Sequence, residues 1–487
     1  MPHRKLGLMI PTPKKIEIFE EALTVPASVM SEHPDFELFA DTLRASLAKL
    51  FDTETPTVGG GIVLRYDQTL APNAYRLDST ADVIVLSASA EEGMAYALAT
   101  ALQAIASLKE GVITIAKTVI EDAPEKDYRA LMVDLAREWH APYTLFHYVD
   151  VCFMLKIRYF HIHFMDDQRY TFPSRVFPEI CTGNRHYTFE DIEALRLYAK
   201  ARGVVLIPEF EVPGHARTII KRYPEIFANK LENAKDATLV TEDGTVITAK
   251  NVICAGNPKT MDAIRALIEE LCEMFPDSPY IHIGGDEANI KAWNYCTECK
   301  RYMEEHGISS VKELYSEFTG RVAQIVLDCG KTPIVWEGFP KEGVSYIPKE
   351  TIVMAWESYY HMVDDLLAAG FRVINNGWQP LYVVNNYDET CWNYKDILAW
   401  NVYNWQHWWR NSTAYLNPIH VPPTDQVIGA QISSWQCTYE QEIGKIMENL
   451  AALSERTWNL VRYYDDPTFD RHLTFVLQRV SRMIAEV

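Results

Sequence analysis

No stretch of about 18 apolar residues occurs anywhere in the chain, so the sequence holds no candidate membrane-spanning helix. Positive charge is scarce: 46 Lys and Arg stand against 66 Asp and Glu, a formal net charge of −20. That balance argues against a nucleic-acid backbone or an anionic membrane as the main partner. The first 19 residues carry early basic side chains but no apolar core of a secretory leader, which gives the expectation of a cytoplasmic location. Cysteines number nine, an odd count scattered from Cys152 to Cys437, which suits reduced thiols better than a disulfide framework. Cys296-Thr297-Glu298-Cys299 has no second pair at zinc-ribbon spacing, which favours ordinary thiols over a metal or redox site. No internal repeat or low-complexity tract is present.

What is present is enough apolar material for a large interior. The 487 residues are 48% hydrophobic and 12% aromatic, more than one core usually holds, so two domains are expected. Over 1–122, strand-like runs at 15–19, 61–66, 82–87 and 112–115 surround one helix-like stretch at 91–108, an α+β pattern. A polar, Pro-containing segment at 121–127 reads as the boundary. Over 123–487, eight apolar runs (130–135, 159–164, 204–210, 280–283, 332–336, 351–356, 372–375 and 427–433) alternate with helical stretches such as 144–156, 189–201, 260–274 and 311–327. Eight such alternations predict an α/β fold, a (β/α)8 TIM barrel, closed by helical stretches at 440–453 and 468–486. The insert 216–257 has no readable periodicity.

Barrel chemistry gathers where the strands end at their C-termini. Those ends carry Asp134 and Arg137, Asp166 and Asp167, Glu209 and His215, Asp286 and Glu287, Trp336 and Glu337, Trp356 and Glu357, Asn375 and Asn376, and Trp435. The most telling is Gly284-Gly285-Asp286-Glu287, in which two glycines after a short strand let the backbone turn and present two adjacent carboxylates at the rim. Neighbouring carboxyl groups cannot ionise independently, and a split pair of pKa values is what acid catalysis on a sugar acetal requires. Carboxylates with a His, an Arg and several Trp faces make the composition of a sugar site.

Read together, these segments resemble glycoside hydrolase family 20, the β-N-acetylhexosaminidases. The resemblance rests on Leu131-Met132-Val133-Asp134-Leu135-Ala136-Arg137, His161-Ile162-His163-Phe164-Met165-Asp166-Asp167-Gln168, Ile207-Pro208-Glu209-Phe210-Glu211-Val212-Pro213-Gly214-His215 and His282-Ile283-Gly284-Gly285-Asp286-Glu287, in this order at barrel spacing. Ala74-Tyr75-Arg76-Leu77 and Gly93-Met94-Ala95-Tyr96-Ala97-Leu98 are similar to the accessory domain that precedes such barrels. The resemblance implies exo-acting, retaining hydrolysis of terminal β-linked GlcNAc or GalNAc from an oligosaccharide or glycoconjugate, with no cofactor and no metal. The substrate's own 2-acetamido oxygen would be the nucleophile. It implies Glu287 as general acid and base, and Asp286 as the group that orients and stabilises the acetamido group. Tyr382 would donate to the acetamido oxygen, and Trp336, Trp356 and Trp435 would wall its pocket. Arg137 would bind ring hydroxyls, and Asp166 and His215 would support the acidic pair.

Taken singly, each residue also has a plainer role. A Trp at a strand end packs in a core, Arg137 could pair Asp134 or Glu138, Asp166 could cap the segment after it, and His215 could be structural. Two positions depart from the family pattern. The Asp expected two residues after Tyr382 falls on Val384, and the Glu expected two residues after Trp435 falls on Cys437. Both normally grip the O4/O6 side of the ring, so the gluco/galacto preference is open, with Asn385, Asn386, Gln436 and Glu440 as nearby polar substitutes. The Trp-rich segment 392–409 could be a stacking wall for the leaving-group sugar, a separately packed loop or a subunit contact. Competing readings are a sugar-binding barrel without activity, a hexosaminidase for O6-modified sugars, and a metal hydrolase built on His161 and His163.

Overall fold

The computed structural model of the protein describes residues 8–181, 183–241, 243–385 and 392–485. Its larger part is a closed ring of parallel strands: β1 (Tyr128–Asp134), β2 (Tyr159–His163), β3 (Val205–Glu209), β4 (Tyr280–His282), β5 (Thr332–Trp336), β6 (Ile352–Ala355), β7 (Arg372–Asn375) and β8 (Val427–Trp435). β8 pairs with both β1 and β7, which closes the barrel, and a short strand Tyr382–Val384 lies along the end of β8. Parallel strands covered on both faces read as continuous apolar runs, which is why all eight stand where the sequence predicts them. All seven residues of β1 are buried, for example. Inside the ring pack Tyr128, Ala130, Ile207, Ile334, Ile352, Met354 and Ile374.

The register then sets the site. His163 stands opposite both Asp134 and Glu209, and Glu209 stands opposite His282. Four adjacent strands therefore finish in one polar layer at the C-terminal mouth.

The outer helices Pro142–Met154, Phe189–Lys200, Pro258–Met274 and Val311–Asp328 lie within about two residues of expectation. Local chemistry explains their starts: Thr188 and Asp191 form a reciprocal capping box, and Asn257 caps a helix whose first residue is Pro258. After β5, β6 and β7 the helices shrink to a 3₁₀ turn, Lys341–Tyr346, and six-residue pieces, Val363–Ala368 and Tyr394–Ala399, while the helix after β8, Tyr439–Trp458, has 20 residues. The insert 216–257 folds as two short helices, Arg217–Arg222 and Pro224–Phe227, followed by a hairpin of Thr238–Val240 with Val246–Thr248.

Residues 15–122 build a separate eight-stranded sheet. It carries two helices rather than the one expected, because Glu37–Phe51 is also helical. Its buried Phe39, Ala40, Leu43, Leu47 and Leu50 have helical spacing, a signal the sequence reading passed over. The second helix ends at Ala104, short of 108, since Ser107–Lys109 turns back as a strand onto Val112–Asp122. The two parts are joined by buried polar contacts. Lys156 donates to the Tyr75 hydroxyl at 2.9 Å, and Trp458 Nε1 donates to Asp122 at 2.9 Å. The C-terminal helix Asp466–Ile484 adds Arg479, which donates to the carbonyls of Leu102 and Ile105.

Candidate active site

The turn after β4 is held from below. Gly284 and Gly285 adopt φ of +65° and +101°, in the left-handed region, and a Cβ on Gly284 would lie 2.0 Å from Oε1 of Glu211. His282 Nδ1 accepts the Gly284 N–H at 3.1 Å, and Glu211 Oε1 accepts the Gly285 N–H at 3.0 Å. Only glycine fits, and the result is that Asp286 and Glu287 emerge side by side at the barrel mouth.

The two carboxylates meet different surroundings. Asp286 has a side chain 14% exposed, and its Oδ1 is buried with no hydrogen-bond partner. Burial pushes its pKa up to about 6, with the neighbouring Glu287 charge adding to the effect against the opposing charge of His215. Glu287, with a side chain 52% exposed, lies 3.5 Å from His215 Nε2, and that contact lowers its pKa. The split expected from the sequence is present, but in the unliganded site it is Asp286 that is raised and Glu287 that is lowered.

Behind the pair runs a chain of buried charges. His215 Nδ1 lies 3.4 Å from Asp166 Oδ2, which also takes Arg137 Nη2 at 2.6 Å and His163 Nε2 at 3.1 Å. His163 Nδ1 reaches Glu209 Oε2 at 2.6 Å, and Glu209 is further surrounded by His161, His282 and the Trp336 indole N–H. Burial opposes the charge on His215, yet Asp166, Glu287 and Asp286 together raise its pKa well above the ordinary value. Burial likewise opposes Glu209, but the imidazoles, His163 first, hold it well below the usual carboxylate range. Arg137 keeps its plainer contact as well, donating to Asp134 at 3.2 Å, and stacks 5.0 Å from the Trp435 ring.

In front of the pair is a cavity of about 240 Å³ lined by Arg137, Asp286, Glu287, Trp336, Trp356, Trp378, Tyr382, Val384, Trp435 and Gln436. It is smaller than the about 300–1,000 Å³ of sites for larger ligands and suits a single sugar ring. Its aromatic wall is tightly set: Trp356 lies parallel to Tyr382 at 6.4 Å, and Trp378 stacks on Tyr382 at 4.7 Å. Trp356 Nε1 donates to the Glu337 carbonyl at 3.0 Å. The Glu337 carboxylate in turn accepts backbone N–H groups of Ser358, Tyr359 and Tyr360 at 2.8–3.0 Å, fixing the loop after β6.

Matches to known proteins agree with this arrangement. Residues 127–460 match the model of glycosyl hydrolase family 20, catalytic domain, and residues 8–123 match that of glycosyl hydrolase family 20, domain 2. The chain belongs to glycosyl hydrolase family 20. Similar proteins include the "Beta-hexosaminidase subunit beta" of Entamoeba histolytica, 27% identical across 79% of this chain and 69% of that protein. Another is the "Beta-hexosaminidase" of Akkermansia muciniphila, 30% identical across 68% of this chain and 66% of that one. The chain thus spans about two thirds of the length of these relatives. Among solved structures, the GH20 exo β-N-acetylglucosaminidase of Vibrio harveyi, in complex with N-acetylglucosamine, superposes with a TM-score of 0.80 at 23% identity, covering 98% of this chain and 77% of that one. That likeness shows the fold, a TIM barrel preceded by a separate domain.

Of the residues singled out in the sequence, Asp286, Glu287, Arg137, Trp336, Trp356, Tyr382 and Trp435 line the family 20 cavity, and His215 and Asp166 stand behind it. Sequence reasoning missed Trp378, gave His163 a role only in the competing metal-hydrolase reading, and gave none to Glu209 or Glu337. Trp378 stands four residues before Tyr382, and nothing in that spacing says that it faces the cavity. His161 and His163 do point to one side, as a metal hydrolase would need, and what they meet is Glu209. Val384 and Gln436 line the cavity, whereas Cys437 is buried and does not, its Sγ donating to the Trp435 carbonyl. Asn386 lies outside the described residues. The Trp-rich segment divides: Trp405 is buried, donating to the Ala355 carbonyl at 3.1 Å, while His407 and Trp408 each set a ring 5.3 Å from Trp378.

Proposed function

We infer that the protein is an exo-acting β-N-acetylhexosaminidase that removes one terminal, non-reducing β-linked N-acetylhexosamine at a time, with the substrate's acetamido oxygen as nucleophile. One observation carries the reading: Asp286, whose carboxylate has a buried oxygen with no hydrogen-bond partner, lines a one-sugar aromatic cavity beside the half-exposed Glu287. Asp286 accepts the acetamido N–H, turns the acetamido oxygen toward the anomeric carbon and stabilises the oxazolinium charge. Accepting that N–H favours the ionised form of Asp286. The sugar meanwhile strips water from Glu287, and desolvation raises its pKa. Binding therefore moves the proton from Asp286 to Glu287, where the leaving-group oxygen needs it. Glu287 then withdraws a proton from the water that opens the ring.

Tyr382 and the indoles of Trp336, Trp356 and Trp435 enclose the acetamido group, and Arg137 holds ring hydroxyls. The cavity size supports exo action, and the N-acetylglucosamine bound in the Vibrio harveyi relative fits the same substrate class. A panel of aryl β-glycosides tests the reading. GlcNAc or GalNAc glycosides should be cleaved and plain glucosides very poorly. Equal turnover of glucoside and GlcNAc, or a glycosyl ester trapped on any carboxylate, would overturn it.

A further inference from the structure

Cys254 lies at the end of the insert 216–257, far in sequence from Cys296 and Cys299, yet the three thiols meet in the interior. Cys254 Sγ is 3.6 Å from Cys296 Sγ and 3.7 Å from Cys299 Sγ, all three residues are fully buried, and the three sulfurs lie mutually within 4.8 Å. We propose that these three cysteines hold a single zinc ion, a structural site that ties the insert to the loop leaving the catalytic turn.

The spacing fits. A tetrahedral ion with metal–sulfur bonds of about 2.3 Å sets its sulfurs about 3.8 Å apart. Soft thiolates select zinc or another thiophilic cation over calcium or magnesium. The fourth corner faces Asn229. Its amide nitrogen is spent on the Val252 carbonyl at 2.7 Å, which turns Oδ1 toward Cys299 Sγ, 3.7 Å away. That oxygen, or a water it holds, completes the four positions. On loading, each thiol releases its proton to solvent and no electron is transferred.

The backbone around the cluster is built for close approach. Gly256 packs so tightly on the Cys296–Cys299 turn that a Cβ there would stand 2.3 Å from the Glu298 carbonyl oxygen and 2.6 Å from Cys299 Cα. Thr297 N donates to the Lys230 carbonyl at 3.1 Å, and Leu231 bridges to Cys296. Cys296 follows Glu287 by nine residues. Between them, Asn289 Nδ2 donates to the Thr248 carbonyl at 2.7 Å and Trp293 Nε1 to the Ile253 carbonyl at 2.9 Å. The ion would lock this seam. A zinc ion here departs from the expectation of no metal and of ordinary thiols at Cys296 and Cys299; the cysteine site stands apart from the catalytic cleft and does not depend on the proposed reaction.

The test is the zinc content of the purified full-length chain, prepared without chelator, by elemental mass spectrometry. About one zinc per chain is expected in the parent and in Cys152→Ser, which removes a buried thiol elsewhere, with at least a fivefold loss in Cys254→Ser and in Cys299→Ser. Cobalt substituted for zinc should give thiolate charge-transfer and tetrahedral d–d absorption. If the serine variants fail to fold, the parent's zinc content and cobalt spectrum decide alone. A parent free of metal overturns the proposal. So do two fewer than nine titratable thiols in the denatured, unreduced chain, which would mean a disulfide in place of a metal site.

Discussion

Replacing Asp286 by Asn preserves shape and removes one charge. The carboxylate is buried against the cavity, so the positive oxazolinium that forms beside it loses its nearest counter-charge. Unit charges about 4 Å apart at an effective dielectric of about 20 attract by about 4 kcal/mol. Loss of one preorganised electrostatic partner costs about 10²- to 10³-fold in kcat, consistent with most of that energy being realised in the transition state. Asp286→Asn should therefore lower kcat on an aryl β-GlcNAc by about two to three orders of magnitude, with a smaller change in KM. The pH profile supplies an independent check. The reacting pair carries one proton, which the free enzyme keeps on Asp286 with a pKa of about 6, so the parent's kcat/KM should fall about tenfold per unit above about pH 6. In the Asn variant that limb should move away from pH 6 in whatever activity remains, because Glu287 alone then carries the proton. A loss in kcat under tenfold, or a limb that stays near pH 6 in the variant, would refute the reasoning.

Glu287→Gln should cost far more on glycosides with poor leaving groups than on activated aryl glycosides, since a departing group needs protonation in proportion to its basicity; a Brønsted series with equal losses throughout would show that Glu287 is not the acid. With Val384 and buried Cys437 where the family pattern has carboxylates, a wrong epimer leaves no buried charge unpaired. Aryl GlcNAc and GalNAc should thus differ in kcat/KM by less than about a thousandfold, roughly 4 kcal/mol, and a substituent at O6 should be tolerated. Glu209→Gln should destabilise the fold in urea by at most about 3–5 kcal/mol, because it strips one of the two carboxylate partners of buried His163 and leaves Asp166. A carboxylate with a depressed pKa stabilises only above its unfolded value of about 4.3. The gap between this variant and the parent should therefore narrow in acid; unchanged midpoints at neutral pH would show that the network carries no such load.

The barrel strands and the acidic pair were legible in the sequence because both are local. Strands buried on two faces must be apolar throughout, and a Gly-Gly turn that carries two carboxylates is written in four adjacent residues. The helix Glu37–Phe51 was equally local and went unread, whereas the thin helices after β5, β6 and β7 offered little periodicity to find. Everything that depends on strands meeting across the mouth was decided only by the tertiary structure. Glu209 becomes a hub because the register sets it beside His163 and His282 on its two neighbours. Trp378 lines the cavity because the short strand Tyr382–Val384 lies on β8 and turns the preceding segment inward. Cys254 completes a thiol cluster that a lone CxxC could not announce. The sequence required that Asp286 and Glu287 differ in pKa. Which of them is raised was set by burial and by His215, a residue 72 positions from Glu287 in the chain and 3.5 Å from it in space.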